Sequence, residues 1–502
     1  MKLNFFLKHV LVYTFFVFMM TACSHQDTMT DNPLNFSGDL LLWSSIQDVA
    51  LELEVIKVKY HEDTIDAYDL LACIHEFGLT VVDYNVYIRA SDGFLVKLDG
   101  STISNTYLAH IDGQGWTYIS DKHPVNSGVK NISDIILVSN SNSKSSENKL
   151  ISGLDPDNYG LNIIHGEEDI YYTKGELLML NDKQLILEDG ISSYEGISIS
   201  VLKQTQVVSL ELLIDKEFDK LLVYTFNGEE FYDYNRHGSI EVTSDQINYI
   251  SDDMEDVKLN IVGIMLDPIG SSVMNNYYDV QYYLEKDQRV ISILLDGFSY
   301  EQYKTIQDKY PDLLLSGLEN VLMAKTVYKP VTNAGFAAIV SGVEPNISGI
   351  LDRSYRELNV ASIFDYCENN NKSHVLIEGD INILNLHTST LLNLDTDNNG
   401  FTDNEIMETT RKILEDEYDY TFIHFHSIDE YGHKFGPLSN ETLDQIRLID
   451  TYLDEIIGGF NGKVIMTADH GMHSVEDYGD HGDFRHEDLF VPYVIVDGGK
   501  YE

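Results

Sequence analysis

Cationic side chains and cysteines are both scarce in this chain, and each shortage excludes a class of function. The 502 residues carry 33 Lys and Arg against 82 Asp and Glu, a formal net charge of -49. So acidic a surface repels polyanions, which makes duplex DNA or RNA an unexpected partner. A small phosphate ester stays open, because bound divalent cations reverse the sign of the field locally. Of the 3 cysteines, Cys23 lies near the start, while Cys73 and Cys367 are far apart. No CxxC occurs, so neither a cysteine zinc site nor a disulfide framework is indicated, and Cys73 and Cys367 are expected as buried thiols. An apolar fraction of 43% with 23% charged residues is a globular composition, and the length implies two or three domains.

At the N-terminus, Lys2 and Lys8 accompany the run VLVYTFFVFMMTA, which leads to Cys23. A basic head, an apolar run and small residues before a cut site form a secretory signal. The run is short of the roughly 20 residues a membrane span needs. Met20-Thr21-Ala22-Cys23 resembles a bacterial lipobox, which implies lipidation at Cys23. The expectation is then a lipoprotein signal peptide over 1–23 and a chain anchored to the membrane by its N-terminal lipid. Its location would be the bacterial cell envelope, facing away from the cytoplasm. Oligomeric state is not indicated.

Two β-rich regions follow, expected as domains over 24–148 and 149–287. ALELEVIKV alternates, VVDYNVYIRA and GFLVKL are β-rich, and a helix is expected at DAYDLLACIHEFG. The polar stretch NSNSKSSEN, 140–148, reads as a linker. NVYIRASDGF compares with LVYTFNGEEF, and NISDIILVS with LNIVGIML, which suggests two copies of one unit. Neither region shows catalytic spacing.

From Arg289 the texture changes. RVISILLD, HVLIEGD, DYTFIHFH, KVIMTADHG and VPYVIV are apolar strands separated by helical segments. This predicts an α/β domain over 288–502 with a mainly parallel central sheet flanked by helices. Chemistry gathers at the strand C-termini in such sheets, and polar residues fall there: Asp296, Asp429 and His433, Asp469 and His470, then His481 in GDHG. Asp and His supply oxygen and nitrogen donors suited to zinc or manganese. In VTNAGFAAIVSG, Thr332 stands at a helix start, where free N–H groups favour negative charge. The hydroxyl there is either an ordinary cap or a nucleophile that two cations activate.

LLDGF, TNAGFAAIVSGVEPNISGI, DEYGHKFGP, ADHGM and GDHG together resemble the alkaline phosphatase superfamily, most closely its type I phosphodiesterase/nucleotide pyrophosphatase branch. The resemblance covers about 288–499. It implies one metal ion held by Asp296, Thr332, Asp469 and His470, a second held by Asp429, His433 and His481, and a phospho-threonine intermediate on Thr332. His481 is preferred to His473 and His486 because it sits in the glycine-flanked GDHG, and VPYVIV follows at the distance seen in the related ethanolamine-phosphate transferases. His486 stays the alternative. Asn333 and Arg353 are the candidate substrate-binding residues. Where the nucleotide pyrophosphatases read F-P-N-H after the nucleophile, this chain reads Asn333-Ala334-Gly335-Phe336. Where they place a phosphate-gripping Asn, it has Arg353, whose guanidinium can hold phosphate bidentately. The sulfatase motif C/S-x-P-x-R is missing.

DTDNNGFTDNE is patterned like an EF-hand loop, with Asp395, Asp397, Asn399, Gly400 and Asp403 at positions 1, 3, 5, 6 and 9. Ile406 stands at position 12, with Glu405 one place early. A calcium loop and a plain acidic turn both stay open. The expected protein is thus a phosphodiesterase or phosphatase that uses two divalent ions, zinc or manganese. The alternatives are a phosphoryl-group transferase of the same superfamily and a non-catalytic surface-binding protein.

Overall fold

The computed structural model describes residues 34–499 except 40, 50–51, 78–83, 121, 125–127, 140–159, 195–196, 236, 244–245, 255 and 477. Cys23 with its signal-like segment, and the linker at 140–148, lie outside the described residues. Among the described residues no helix is long and apolar enough to cross a membrane. Two compact units are present. One comprises described residues up to 160 with 172–208 and 242–246, the other 161–171, 209–241 and 247–499.

In the first unit, a five-stranded sheet has the order Leu41–Ser45, Asn35–Gly38, Ile132–Ser139, Tyr84–Ala90, Leu95–Asp99. A four-stranded sheet orders Ile56–Tyr60, Asp63–Asp69, Thr106–Ile111 and Gly115–Ser120. Tyr84–Ala90 alternates buried and half-buried residues, as a one-face-in strand should. The helix expected over DAYDLLACIHEFG is shorter than that, Leu70–Glu76. Its predicted start belongs to the strand Asp63–Asp69, and Asp69 caps the helix by accepting from the Ala72 N–H at 2.9 Å. Cys73 and Cys367 are both buried free thiols.

The element order of 35–139 recurs over 160–266. Two strands, a helix, two strands, a second helix and five further strands appear in each, the later stretch adding the two-residue strand Val257–Lys258. The first strand pairs parallel with the last in both cases. The last strand then pairs antiparallel with the same hairpin, Tyr84–Ala90/Leu95–Asp99 in one and Leu221–Thr225/Glu230–Asp233 in the other. The segments compared by sequence fall on these corresponding strands.

In the second unit a seven-stranded sheet forms the core. Its strands are β1 (Val290–Leu295), β2 (Leu322–Lys325), β3 (His374–Glu378), β4 (Thr390–Leu392), β5 (Tyr420–Phe425), β6 (Lys463–Thr467) and β7 (Phe490–Asp497). The spatial order is β2-β7-β6-β1-β5-β3-β4, and β7 alone runs against the rest. β1 and β5 are buried at every position, as strands covered on both faces must be. Leu295 pairs with Phe425 and Leu294 with Thr467, so Asp296, His426 and Asp469 emerge at one edge. Among the helices of this unit are α1 (Tyr300–Lys309), α2 (Thr332–Ser341), α3 (Ile363–Asn369), α4 (Asp403–Leu414), α5 (Ser427–Phe435) and α6 (Asn440–Gly459).

The sheet of the second repeat packs in the same unit against the loop that follows His481. Ile164, Leu222, Tyr224, Val262 and Met265 bury with Tyr328, Phe484 and Leu489. Gly263 lets this happen, since a Cβ there would lie 2.2 Å from the Phe484 ring. Beside this cluster Lys325 and Glu230 form an ion pair whose side chains are only 3% and 2% exposed. Removing one partner leaves the other charge buried and unpaired, which costs about 3–5 kcal/mol. Lys325→Met should therefore lower the thermal transition of this unit sharply, while the double variant Lys325→Met/Glu230→Met regains most of the loss. A double variant that loses the sum of the two single losses, read by calorimetry, would show the pair to be uncoupled.

Candidate active site

Thr332 is the first residue of α2, and Val331, in extended conformation, occupies the cap position without a side-chain bond. The capping role open in the sequence is thus absent from the geometry. All ten residues of α2 are buried, which suits its run of small side chains. Gly335 marks the closest approach, for a Cβ there would sit 2.2 Å from the Asp469 carbonyl oxygen. The Thr332 hydroxyl lies 3.3 Å from His470 Nε2.

Asp296 directly follows β1, and the Asp-Gly sequence has a steric cause. Gly297 adopts φ +71, and a Cβ there would fall 2.8 Å from Asp429 Oδ1. His470 Nε2 is 3.4 Å from Asp296 Oδ1 and 3.7 Å from Asp469 Oδ2. Asp429 and His433, one turn apart on α5, stand 3.4 Å apart. His481 Nε2 is 3.6 Å from Asp429 Oδ1, and the His481 ring stacks on His470 at 3.6 Å. All three imidazoles are set alike. Nδ1 of His470, His433 and His481 contacts the carbonyls of Gly471, Gly479 and Pro330, each at 2.9 Å. With Nδ1 held by these carbonyls, each Nε2 is turned toward the cluster, the orientation of metal-ligating histidines. His486 lies elsewhere, its ring 4.7 Å from that of Phe490.

The electrostatics are those of crowded buried acids. Burial, then the Asp296 charge, pushes Asp429 up to about 6 and Asp469 up to about 7. For Asp296 burial also acts upward, but the imidazoles of His424, His426 and His470, each at 3.4 Å, outweigh it and hold the carboxyl well below its ordinary range. Burial, then the charge of His470, depresses His481. Asp296 Oδ1, Asp429 Oδ1 and Asp469 Oδ2 are buried without hydrogen-bond partners. Asp429/His470/His481 and Asp296/Asp469/His470 each bring ligand atoms within 4.8 Å of one another. Unpartnered carboxylate oxygens facing imidazole nitrogens fit divalent cations, which would supply the missing positive charge.

Sequence reasoning missed Glu378, His424 and His426. His424 Nε2 and His426 Nδ1 both stand 3.4 Å from Asp296 Oδ2. Their other ring nitrogens reach Glu378 at 3.1 and 3.0 Å. Asp296, His424 and His426 also form a group able to hold a cation. The signal was the alternation His424-Phe425-His426, which sets both imidazoles on one face. Asn333 is buried beside Thr332, and its amide donates to the carbonyls of Tyr355 and Ile383 at 2.9 and 3.3 Å. Arg353 contacts His481 Nε2 through its guanidinium. Asp395, Asp397 and Asn399 share a loop, whereas Asp403, expected at its position 9, heads α4 and accepts from the N–H groups of His426 and Ser427 at 2.9 and 3.1 Å. The loop turns into the helix there, so its carboxylate faces α5.

A hydroxyl, carboxylates and imidazoles gathered on one edge of a mainly parallel sheet define an α/β domain of the alkaline phosphatase kind. Residues 383–498 match the family model of type I phosphodiesterase / nucleotide pyrophosphatase. GPI ethanolamine phosphate transferase 1 of Aspergillus fumigatus is 32% identical over 105 residues, 19% of this chain and 10% of that protein. The mouse protein of the same name is 35% identical over 86 residues, 16% of this chain and 9% of that protein. The chain thus spans about a tenth of the length of the curated relatives it matches. Among solved structures, phosphonoacetate hydrolase from Sinorhizobium meliloti is 18% identical, with TM-score 0.30, covering 37% of this chain and 57% of that one. The curated relatives come from fungi and the mouse. That finding overturns the expected location as a lipid-anchored protein of the bacterial cell envelope.

Gly335→Ala tests the geometry. The added Cβ must displace α2 from the Asp469 backbone, an overpacking that costs about 1–3 kcal/mol. A lower melting temperature together with reduced bound metal, measured by elemental analysis, is expected. Unchanged metal content would show that the spacing between α2 and Asp469 does not matter to the cluster.

Proposed function

We propose that the chain is a metal-dependent phosphoric ester hydrolase in which Thr332 is the nucleophile. The observation carrying this reading is the Thr332 hydroxyl, uncommitted to helix capping, at 3.3 Å from His470 Nε2 in a cluster of buried, unpartnered carboxylate oxygens. Asp296, Asp469 and His470 would hold one cation beside Thr332, and Asp429, His433 and His481 another, with zinc or manganese suited to these donors. Such ions lower the hydroxyl pKa and neutralise charge developing on the transferred phosphoryl group. Thr332 attacks phosphorus in line, the ester oxygen leaves, and the phospho-threonine is then opened by water. The free N–H groups at the start of α2 face the anion, and Arg353 is placed beside His481 to grip its oxygens. The substrate is a small phosphate ester, diester or monoester.

A second reading is favoured by the names of the curated relatives, which are ethanolamine phosphate transferases. An alcohol in place of water as the final acceptor would make the same site a phosphoryl-group transferase.

Purified protein should hydrolyse a p-nitrophenyl phosphodiester or monoester, lose activity to a chelator and regain it with zinc or manganese. Thr332→Ala should lower kcat by at least about 10³-fold while still binding metal. Full activity in that variant would remove Thr332 from the mechanism. Adding glycerol or ethanolamine and measuring how product divides between free and alkylated phosphate separates hydrolase from transferase.

A further inference from the structure

The acidic loop at 395–405 lies outside the Thr332 cluster and has a geometry of its own. Asp395, Asp397 and Glu405 bring carboxylate oxygens within 4.8 Å of one another. Glu405 is 93% buried, complementing its 7% exposure, and its Oε2 has no hydrogen-bond partner. Its Oε1 accepts from the Thr396 N–H and hydroxyl at 2.9 and 2.8 Å. This ties the start of the loop to the first turn of α4. Burial would raise the Glu405 carboxyl, but these bonds outweigh it and keep the group below its ordinary range. A buried carboxylate oxygen without a hydrogen-bond partner, converging with two further carboxylates, fits a counter-cation.

We propose that this loop binds one calcium ion through Asp395, Asp397 and Glu405, and that the ion braces the helix carrying Asp429 and His433. Glu405 takes the place that the sequence pattern gave to Asp403. The donors are all hard oxygens, with no nitrogen or sulfur among them. Hard oxygens at the 1 and 3 positions of an EF-hand-like loop are the donor set and spacing of calcium loops.

Two contacts carry the effect onward. Asp403, two residues before Glu405, receives the His426 and Ser427 N–H groups and the Ser427 hydroxyl at the start of α5. Phe401, within the loop, stacks on Tyr431 of α5 with ring centroids 4.6 Å apart. A loop held by an ion thus fixes both the N-terminus and one side of α5.

Isothermal titration of the full chain with calcium chloride is the test, since it reads binding without reference to catalysis. One calcium per chain is expected, with Kd roughly 10⁻⁵–10⁻³ M, and calcium should raise the melting temperature. Asp397→Asn, at an exposed position, should fold normally and lose at least about ten-fold in affinity along with the thermal shift. Glu405→Gln should do the same. No heat of binding at millimolar calcium would overturn the proposal, as would unchanged calcium affinity in both variants. An inactive Thr332 site would leave this result untouched.

Discussion

Mutual repulsion among buried carboxylates is the constraint on which the C-terminal half of this molecule depends. Asp296, Asp429 and Asp469 are brought together at the ends of three elements and largely withdrawn from water. Imidazoles at 3.4–3.7 Å answer part of that charge. Carboxyls pushed up to about 6 and about 7 show that part of it goes unanswered. Such a cluster holds together only if the scaffold is rigid. The apolar sheet supplies the rigidity, since β1, β5 and β6 are hydrogen-bonded neighbours whose ends cannot shift independently. Backbone carbonyls fix the histidine tautomers, and glycines at 297 and 335 let backbones approach where any side chain would force them apart.

Much of this was legible because it lies where an apolar pattern stops. Asp296, Asp469 and His470 interrupt runs of Val, Ile and Leu, and an abrupt polar residue after a buried strand stands out. Asp429 and His433 are legible by helical spacing. His424 and Glu378 were not, because each falls within the bounds of a mostly apolar strand, so the pattern absorbed them. Their role depends on β3 lying beside β5, a pairing without a local signal. The Lys325–Glu230 pair joins residues 95 apart in sequence and was equally invisible. The calcium loop was half legible. Its acidic spacing could be read, but the exchange of Asp403 for Glu405 depends on where α4 begins and what its first turn faces.

The β-rich regions show a different relation of sequence to structure. Their two stretches retain only a few similar segments, yet share an order of eleven elements and the parallel pairing of first and last strands. Alternating strands tolerate wide substitution so long as one face stays apolar, so topology outlasts sequence. The second stretch has taken on a task the first does not share. Its sheet, through Gly263 and its neighbours, cradles Phe484 in the loop just after His481. His481 directly follows the short strand Tyr478–Asp480, and the packing of Phe484 braces the loop beyond it.

Exposure across the cluster is graded, and the grading gives the site a direction. Asp469 and His470 are wholly buried, Asp429 is 14% exposed and His433 is 35% exposed. Arg353 lies outermost, with its guanidinium reaching in to His481. In the proposed mechanism Thr332 would attack from the buried side, where water is scarce and a nucleophilic hydroxyl is protected from competition. Whatever opened the phospho-threonine would then enter past His433 and Arg353. Choice between water and an alcohol is then a property of that open rim rather than of the cluster beneath it. This is why the same buried ligands suit both hydrolysis and transfer, and why the core motifs are silent on which one this chain performs.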